Sequence, residues 1–299
     1  MRILVTGRSG QLALSLAARA RSLGGVELVA AGRPGLDLED APGARAAIIA
    51  AAPDLVVNAA AFTAVDQAES ARARAFAINR DGAAAVASAA SHLGIPLVHL
   101  STDYVFDGRK AKPYVESDST APLNVYGRSK REGEVAVLDA YPAALILRTS
   151  WVFSPFGSNF VKTMLRIGAE RPRVRIISDQ FGNPTSATDL AGAILAIAPQ
   201  LVATPGAGGI YHVTNAGSTS WFGLAEVVFA EAARLGGPHP LLEAITTADY
   251  PLPAPRPADS RLDTSAFGNR FGHGLRPWQD AVAETVRCLM SAPPQPADA

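Results

Sequence analysis

Val5-Thr6-Gly7-Arg8-Ser9-Gly10-Gln11-Leu12-Ala13 is the stretch that decides the fold. A short apolar run, Arg2–Thr6, ends at a glycine, and a helix-forming stretch, Gln11–Ser22, begins four residues later. Glycine at such a strand-to-helix turn lets backbone N–H groups approach a pyrophosphate closely, and the new helix adds unpaired donors and a favourable dipole. The third position of the pattern, often glycine, is Ala13, which still permits close helix–strand packing. No Gly-Lys-Ser/Thr follows, so the loop does not match a P-loop.

The rest of the first half repeats the alternation. Strand-like runs at Val26–Ala30, Leu55–Asn58, Leu97–Ser101 and Ala144–Thr149 are separated by helix-like stretches at Ala41–Ala52, Arg72–Leu93 and Asn124–Asp139. Short apolar strands alternating with helices imply parallel crossovers and a doubly wound Rossmann sheet. The second half is less regular. Helices are expected at Asn159–Arg171, Ala187–Ala198, Trp221–Leu235 and Pro277–Met290, strands at Val174–Ile177 and Gly209–Val213, and loop over most of Pro238–Pro257. The fold class is therefore α/β, a doubly wound parallel sheet with a smaller C-terminal substrate-binding lobe. Residues 1–150 form the dinucleotide-binding domain with the catalytic residues. Residues 151–290 form mainly the lobe, with some segments returning to the sheet, and 291–299, with three prolines, a disordered tail.

Composition narrows the function. Among 299 residues, Lys+Arg and Asp+Glu both total 27, with no basic block, which argues against nucleic acid as a partner. The single cysteine, Cys288, excludes an intramolecular disulfide and suggests a reducing compartment. Met1–Thr6 reads as a buried strand rather than a signal peptide, and no apolar run reaches the ~18 residues of a membrane helix. A cytoplasmic protein with no membrane partner is expected. The five histidines are scattered; His99 is expected to pack on a strand, and His212 has no evident partner.

Cofactor choice turns on the end of the second strand. NAD enzymes usually carry an acid there to hold the ribose hydroxyls. Ala30-Ala31-Gly32-Arg33 has none, and Arg33, helped by Arg8, could pair with a 2′-phosphate. NADPH is the first choice, with NADH open, and Arg33 could instead be a solvated loop charge. Gly7, Arg8, Ser9, Gly10, Gln11 and Leu12 are the expected cradle, with Asp37 and Leu38 near the adenine. The small residues Ala59, Ala60 and Ala61, after Asn58, end at the same sheet edge and would admit a cofactor.

Tyr126-Gly127-Arg128-Ser129-Lys130 places a phenol and an ammonium four apart, on one helix face. A nearby ammonium favours the phenolate and lowers its pKa, so Tyr126 could give a proton to a carbonyl oxygen. The third member lies in Ser101-Thr102-Asp103-Tyr104, where a strand-end hydroxyl could polarise that carbonyl. Thr102 is preferred and Ser101 is the fallback.

Taken together, the sequence resembles the dTDP-4-dehydrorhamnose reductase family of the extended short-chain dehydrogenase/reductase superfamily, over about Met1 to Met290. Beyond the glycine loop, the resemblance is carried by Asn58–Asp66, Ser101–Gly108, Pro122–Lys130, Arg148–Phe153, Asn159-Phe160 and Asp179–Thr185. It implies NADPH-dependent reduction of a C4 keto group on a dTDP-linked sugar. Thr102, Tyr126 and Lys130 would be the catalytic set; Thr63, Val65 and Tyr104 would line the cofactor–sugar junction, with Asp103 on the substrate side. Trp151 would touch the sugar, unless it is a core aromatic, and Asn159 would hold diphosphate or sugar oxygens. Gln180 and Thr185 would serve the nucleotide pocket, and Arg256 would pair with diphosphate. Some relatives bind Mg²⁺ through a carboxylate where this chain has Ser15, a poor ligand for a hard cation, so no metal and no Mg²⁺ dependence is expected. A monomer or weak homodimer follows from the same departure. The rival readings are a 4-ketoreductase of another dTDP-deoxysugar and a non-catalytic NADP-binding regulatory subunit.

Overall fold

The computed structural model describes residues 1–204, 206 and 208–291. In chain order the first half runs β1 (Arg2–Thr6), α1 (Gln11–Ala20), β2 (Glu27–Ala31), α2 (Ala41–Ala51), β3 (Leu55–Asn58), α3 (Val65–Ser70), α4 (Arg72–Phe76), α5 (Ala83–Leu93), β4 (Leu97–Thr102), α6 (Val125–Ala140) and β5 (Leu145–Thr149). The second half contributes β6 (Val152–Phe153), α7 (Phe160–Glu170), β7 (Arg173–Ile177), β8 (Phe181–Gly182), β9 (Thr185–Ser186), α8 (Ala187–Ala203), β10 (Gly209–His212), β11 (Thr219–Ser220), α9 (Trp221–Arg234), β12 (Leu241–Ile245), α10 (Ser265–Phe271) and α11 (Trp278–Ser291).

Six of the strands form one parallel sheet in the order β10-β5-β4-β3-β1-β2. Its strands are apolar on both sides because helices cover both faces. Ile3, Val5, Val57, Val98 and Leu147 bury against α1 and α8, while Leu4, Val56, Leu97 and Ile146 bury against α2, α5 and α6. This is the alternation of a strand, with successive side chains on opposite faces. A separate apolar cluster joins Phe153, Met164, Val174, Leu224, Phe229, Trp278 and Val282 from β6, α7, β7, α9 and α11. The chain order reverses between β1 and β3, so a crevice opens at their C-terminal ends, where such sheets bind ligands.

Four expectations need correction. The single helix over Arg72–Leu93 is instead α4 and α5 joined by a π-helical turn, Ala77–Gly82. The loop over Pro238–Pro257 contains β12, whose pairing with β7 sets Leu242 against Val174; a partner some 70 residues away supplies the order that local composition does not. Helix α8 runs past Ala198 to Ala203 and carries Pro199 inside it, with Leu201 buried beyond the proline. Ser291, counted in the tail, closes α11, and 292–299 lie outside the described residues. No helix among the described residues is long and apolar enough to cross a membrane.

Candidate active site

The crevice begins at Gly7, whose φ of 96° is open to glycine and strained for other residues. Its N–H donates to the Ala31 carbonyl at 2.7 Å, and a Cβ there would lie 3.6 Å from that of Ala60. Gly10 is the N-cap of α1 and carries no side chain to satisfy the first-turn N–H groups. Ser9 is exposed and Leu12 is buried in the core, so only the backbone of Leu12 faces the turn. Arg8 lies along Gly32, where a Cβ would come within 3.0 Å of its side chain, and Arg33 is the next residue. Both arginines are exposed, and neither has an ion-pair partner among the described residues. Uncapped donors beside two free guanidinium groups fit a phosphate-bearing dinucleotide. Asp37 is half-buried, and Leu38 packs against the π-helical turn at Gly82.

Hydrogen bonds fix the floor of the crevice. The Ala60 N–H donates to Thr6 Oγ1 at 3.0 Å, so the Thr6 hydroxyl donates onward to Asn58 Oδ1 at 2.6 Å. The Asn58 amide therefore turns Nδ2 toward His99 Nδ1, at 3.0 Å, and His99 must carry its proton on Nε2. Burial and the Lys130 charge hold His99 well below the usual histidine range, so it stays neutral.

Helix α6 brings Tyr126 and Lys130 to the crevice. Asn124 caps it, accepting from Gly127 N–H at 2.7 Å. Gly127 has no room for a Cβ against the Tyr104 carbonyl, which lets the start of α6 lie on the β4 exit. The rings of Tyr104 and Tyr126 meet edge to face at 5.8 Å. Lys130 is buried, and its Nζ donates to the Leu100 carbonyl at 2.6 Å; burial lowers it to about 8 against the supporting charge of Glu134. Burial pushes the Tyr126 phenol up to about 12, the Thr102 hydroxyl pulls it down, and Asp103 adds to the rise. The expected lowering of the phenol is not found, because desolvation outweighs the hydrogen bond and Lys130 points its ammonium at a backbone carbonyl.

The two candidate hydroxyls at the end of β4 have different partners. Ser101 donates to Glu134 Oε1 at 2.6 Å, in the second half of α6, whereas Thr102 accepts from Tyr104 N–H at 3.2 Å and acts on Tyr126 at the start of α6. Glu134 is held by Arg148 at 2.7 and 2.8 Å, with both side chains buried. Asn79, in the π-helical turn, was not singled out by sequence. Its amide closes on both backbone groups of Phe62, at 2.8 and 3.0 Å, and donates to Ser129 at 2.9 Å. It ties the Ala61–Thr63 segment to α6. An asparagine inside an otherwise Ala-rich stretch is the only signal it leaves in the sequence. Thr63 is exposed at the crevice and Val65 is half-buried at the start of α3.

The residues drawn from the second half divide. Trp151, with φ 48°, stacks on Trp221 at 3.6 Å and 5°, and Gly182 has no room for a Cβ against its indole. Trp221, also missed, donates from Nε1 to Gln180 Oε1 at 3.2 Å, and Gln180 is itself buried. Asn159 caps α7 and donates to Gln11 Oε1 at 3.0 Å, while Gln11 Nε2 donates to the Val152 carbonyl at 3.2 Å. These two amides clamp the glycine loop to the 152–159 segment. Thr185 is fully buried and donates to the Asn183 carbonyl at 3.2 Å. Arg256 forms a two-pronged pair with Asp66, at 3.0 and 2.7 Å, and also acts on the Tyr104 phenol. His212 does have a partner: its Nδ1 lies 3.0 Å from the Tyr114 carbonyl. Ser15 is fully buried in α1, and no cluster of three or more His, Cys, Asp or Glu among the described residues is placed to hold a metal ion. Cys288 is a free, exposed thiol.

Residues 1–290 match the RmlD substrate binding domain family. A dTDP-4-dehydrorhamnose reductase of Sinorhizobium fredii is 46% identical over 97% of this chain and 98% of its own length. The chain belongs to the dTDP-4-dehydrorhamnose reductase family. It is an enzyme, an NADP-type oxidoreductase of that family. The family member of Clostridium acetobutylicum superposes with a TM-score of 0.89 at 34% identity, over 97% of this chain and 99% of that one. That of Bacillus anthracis, solved with NADP, gives 0.87 at 33% identity, over 95% and 98%. The six-stranded parallel sheet is thus the fold of a reductase family.

Proposed function

We propose that this reductase uses NADPH to reduce the C4 keto group of dTDP-4-dehydro-L-rhamnose to dTDP-L-rhamnose, in the cytoplasm. The observation that carries the reading is the convergence of Thr102, Tyr126 and Lys130 at the C-terminal ends of the sheet, beside an uncapped helix start flanked by two unpaired arginines. Gly7, Gly10 and the first turn of α1 hold the pyrophosphate, Arg8 and Arg33 take the 2′-phosphate, and Ala59–Ala61 admit the nicotinamide end. Bound there, NADPH supplies a hydride.

The protein manages the proton. Tyr126 breaks its O–H bond and gives that proton to the keto oxygen, which becomes the C4 hydroxyl. The Thr102 hydroxyl polarises that oxygen, and the buried Lys130, held in place by the Leu100 carbonyl, is left to hold the cofactor ribose. A phenol near 12 remains a proton donor throughout the neutral range, so the acid is never lost to ionisation. Tyr104 and the Trp151 indole flank the sugar, and Arg256 faces the diphosphate from its pair with Asp66.

The test is NADPH oxidation with dTDP-4-dehydro-L-rhamnose, run with each nicotinamide cofactor and with EDTA, and NMR of the product. NADPH-preferring turnover, indifferent to EDTA and yielding dTDP-L-rhamnose, is expected. Another product stereochemistry makes it a sister 4-ketoreductase. NADPH binding without oxidation by any nucleotide keto-sugar makes it a regulatory subunit.

A further inference from the structure

Asp103 is a buried carboxyl with no cation on it. Its Oδ2 lies 2.6 Å from Ser260 Oγ and its Oδ1 3.1 Å from Thr102 Oγ1. It is 2% exposed, and no ion pair reaches it among the described residues. The groups around it are the Tyr104 phenol, the Tyr126 phenol from α6, and, one layer out, Arg256 already paired with Asp66. A carboxylate left among hydroxyls and phenols is costly unless it is protonated or strongly hydrogen-bonded.

The available protons can be counted. One lone pair of Thr102 Oγ1 is taken by the Tyr104 N–H at 3.2 Å. If Asp103 is ionised it can only accept, so both hydroxyls donate to it and the single Thr102 proton is committed to a charged acceptor. If Asp103 is protonated on Oδ2, it donates to Ser260 Oγ, and Ser260 has an alternative acceptor, the Phe181 carbonyl at 3.4 Å. The pull on Thr102 then falls to that of a neutral carbonyl oxygen, and its proton is free to turn elsewhere.

We propose that Asp103 is a positioning residue whose protonation, with Ser260 accepting from the acid, releases the Thr102 hydroxyl to donate to the keto oxygen. Ionised, it turns that hydroxyl away. No proton is consumed in the step: the Asp103 proton stays shared with Ser260 while Tyr126 supplies the one transferred. Burial pushes the Asp103 carboxyl up to about 7, so the change of state falls within the working range. The device couples a loop from the late chain, at Ser260, to the strand end that carries Thr102, 158 positions earlier. It rests on the reductase reading proposed above.

The experiment is the pH profile of kcat/KM, from 5.5 to 9, with NADPH and dTDP-4-dehydro-L-rhamnose, for the wild type, Asp103→Asn and Ser260→Ala. The wild type should fall roughly tenfold as pH rises through about 7, the equivalent of one hydrogen bond. Asp103→Asn, which keeps an amide in the neutral acid's place and cannot ionise, should lack that limb whatever its absolute rate. Ser260→Ala removes a donor that favours the carboxylate, so its limb should move to higher pH. A limb near 8 from Lys130 should persist in all three. A wild type flat between 6 and 8, an asparagine variant with an unchanged limb, or an unmoved Ser260→Ala midpoint overturns the proposal. If Asp103→Asn does not fold by its unfolding curve, the Ser260→Ala midpoint decides alone. Failure of the reductase reading looks different: the wild type oxidises no NADPH with this sugar at any pH.

Discussion

Glu134 and Arg148 face each other in a two-pronged ion pair, 2.8 and 2.7 Å, sealed between α6 and β5. Ser101 adds a third hydrogen bond to the carboxylate at 2.6 Å, and Lys130 sits one helical turn before Glu134. The pair therefore fixes the register of the catalytic helix on the sheet. Removing one partner strands a buried charge, which costs about 3–5 kcal/mol. Glu134→Gln and Arg148→Met should each lose stability on that scale by denaturant unfolding, while the double variant Glu134→Leu/Arg148→Met should lose less than their sum. Single variants within about 1 kcal/mol of the wild type would place the register elsewhere.

Arg8 and Arg33 are the only features of the glycine loop and second strand end that would separate NADPH from NADH. A hydrogen bond to a charged group contributes about 1.5–3 kcal/mol. Replacing either arginine by alanine should therefore lower kcat/KM with NADPH by about 10- to 100-fold and leave NADH nearly unchanged. Equal losses with both cofactors would mean that the arginines act on the shared pyrophosphate instead.

His212 is fully buried, and burial and the Arg148 charge lower it to about 4. The unfolded chain takes up this proton below about 6.5, whereas the folded protein does so only near 4. Its stabilising contribution is thus complete above 6.5 and is lost as pH falls toward 4, by about 2–3 kcal/mol at pH 4.5. Asp103, raised to about 7, works in the opposite sense, since its folded form holds a proton that the unfolded chain has released. The informative measurement is the difference. Relative to wild type, His212→Gln should gain about 2–3 kcal/mol on going from pH 7 to 4.5 in denaturant titrations. No relative gain would show that His212 is protonated in the folded protein.

The glycine loop, the parallel sheet and the spacing of Tyr126 and Lys130 were legible because each is a local signal: a turn that needs glycine, a run of β-branched residues, a helical repeat. What could not be read was fixed by partners far away in the chain. Asn79 meets Phe62 and Ser129, Trp151 meets Trp221, Asp103 meets Ser260, and β12 needs β7. Arg256 was expected to pair with diphosphate, and only the fold shows that Asp66 already holds it. The phenol pKa was misjudged for a related reason. Spacing shows that an ammonium is near, but not that burial outweighs it or that the ammonium points to the Leu100 carbonyl.

The most direct test of the central claim, proton transfer from Tyr126 to a sugar carbonyl, is single-turnover oxidation of bound NADPH with dTDP-4-dehydro-L-rhamnose in wild type and Tyr126→Phe. The variant keeps the ring and its edge contact with Tyr104 and loses only the donor. It should bind NADPH and unfold like the wild type while its hydride-transfer rate falls by about 10²–10⁴-fold. A variant that oxidises NADPH within a few-fold of the wild-type rate would contradict the account.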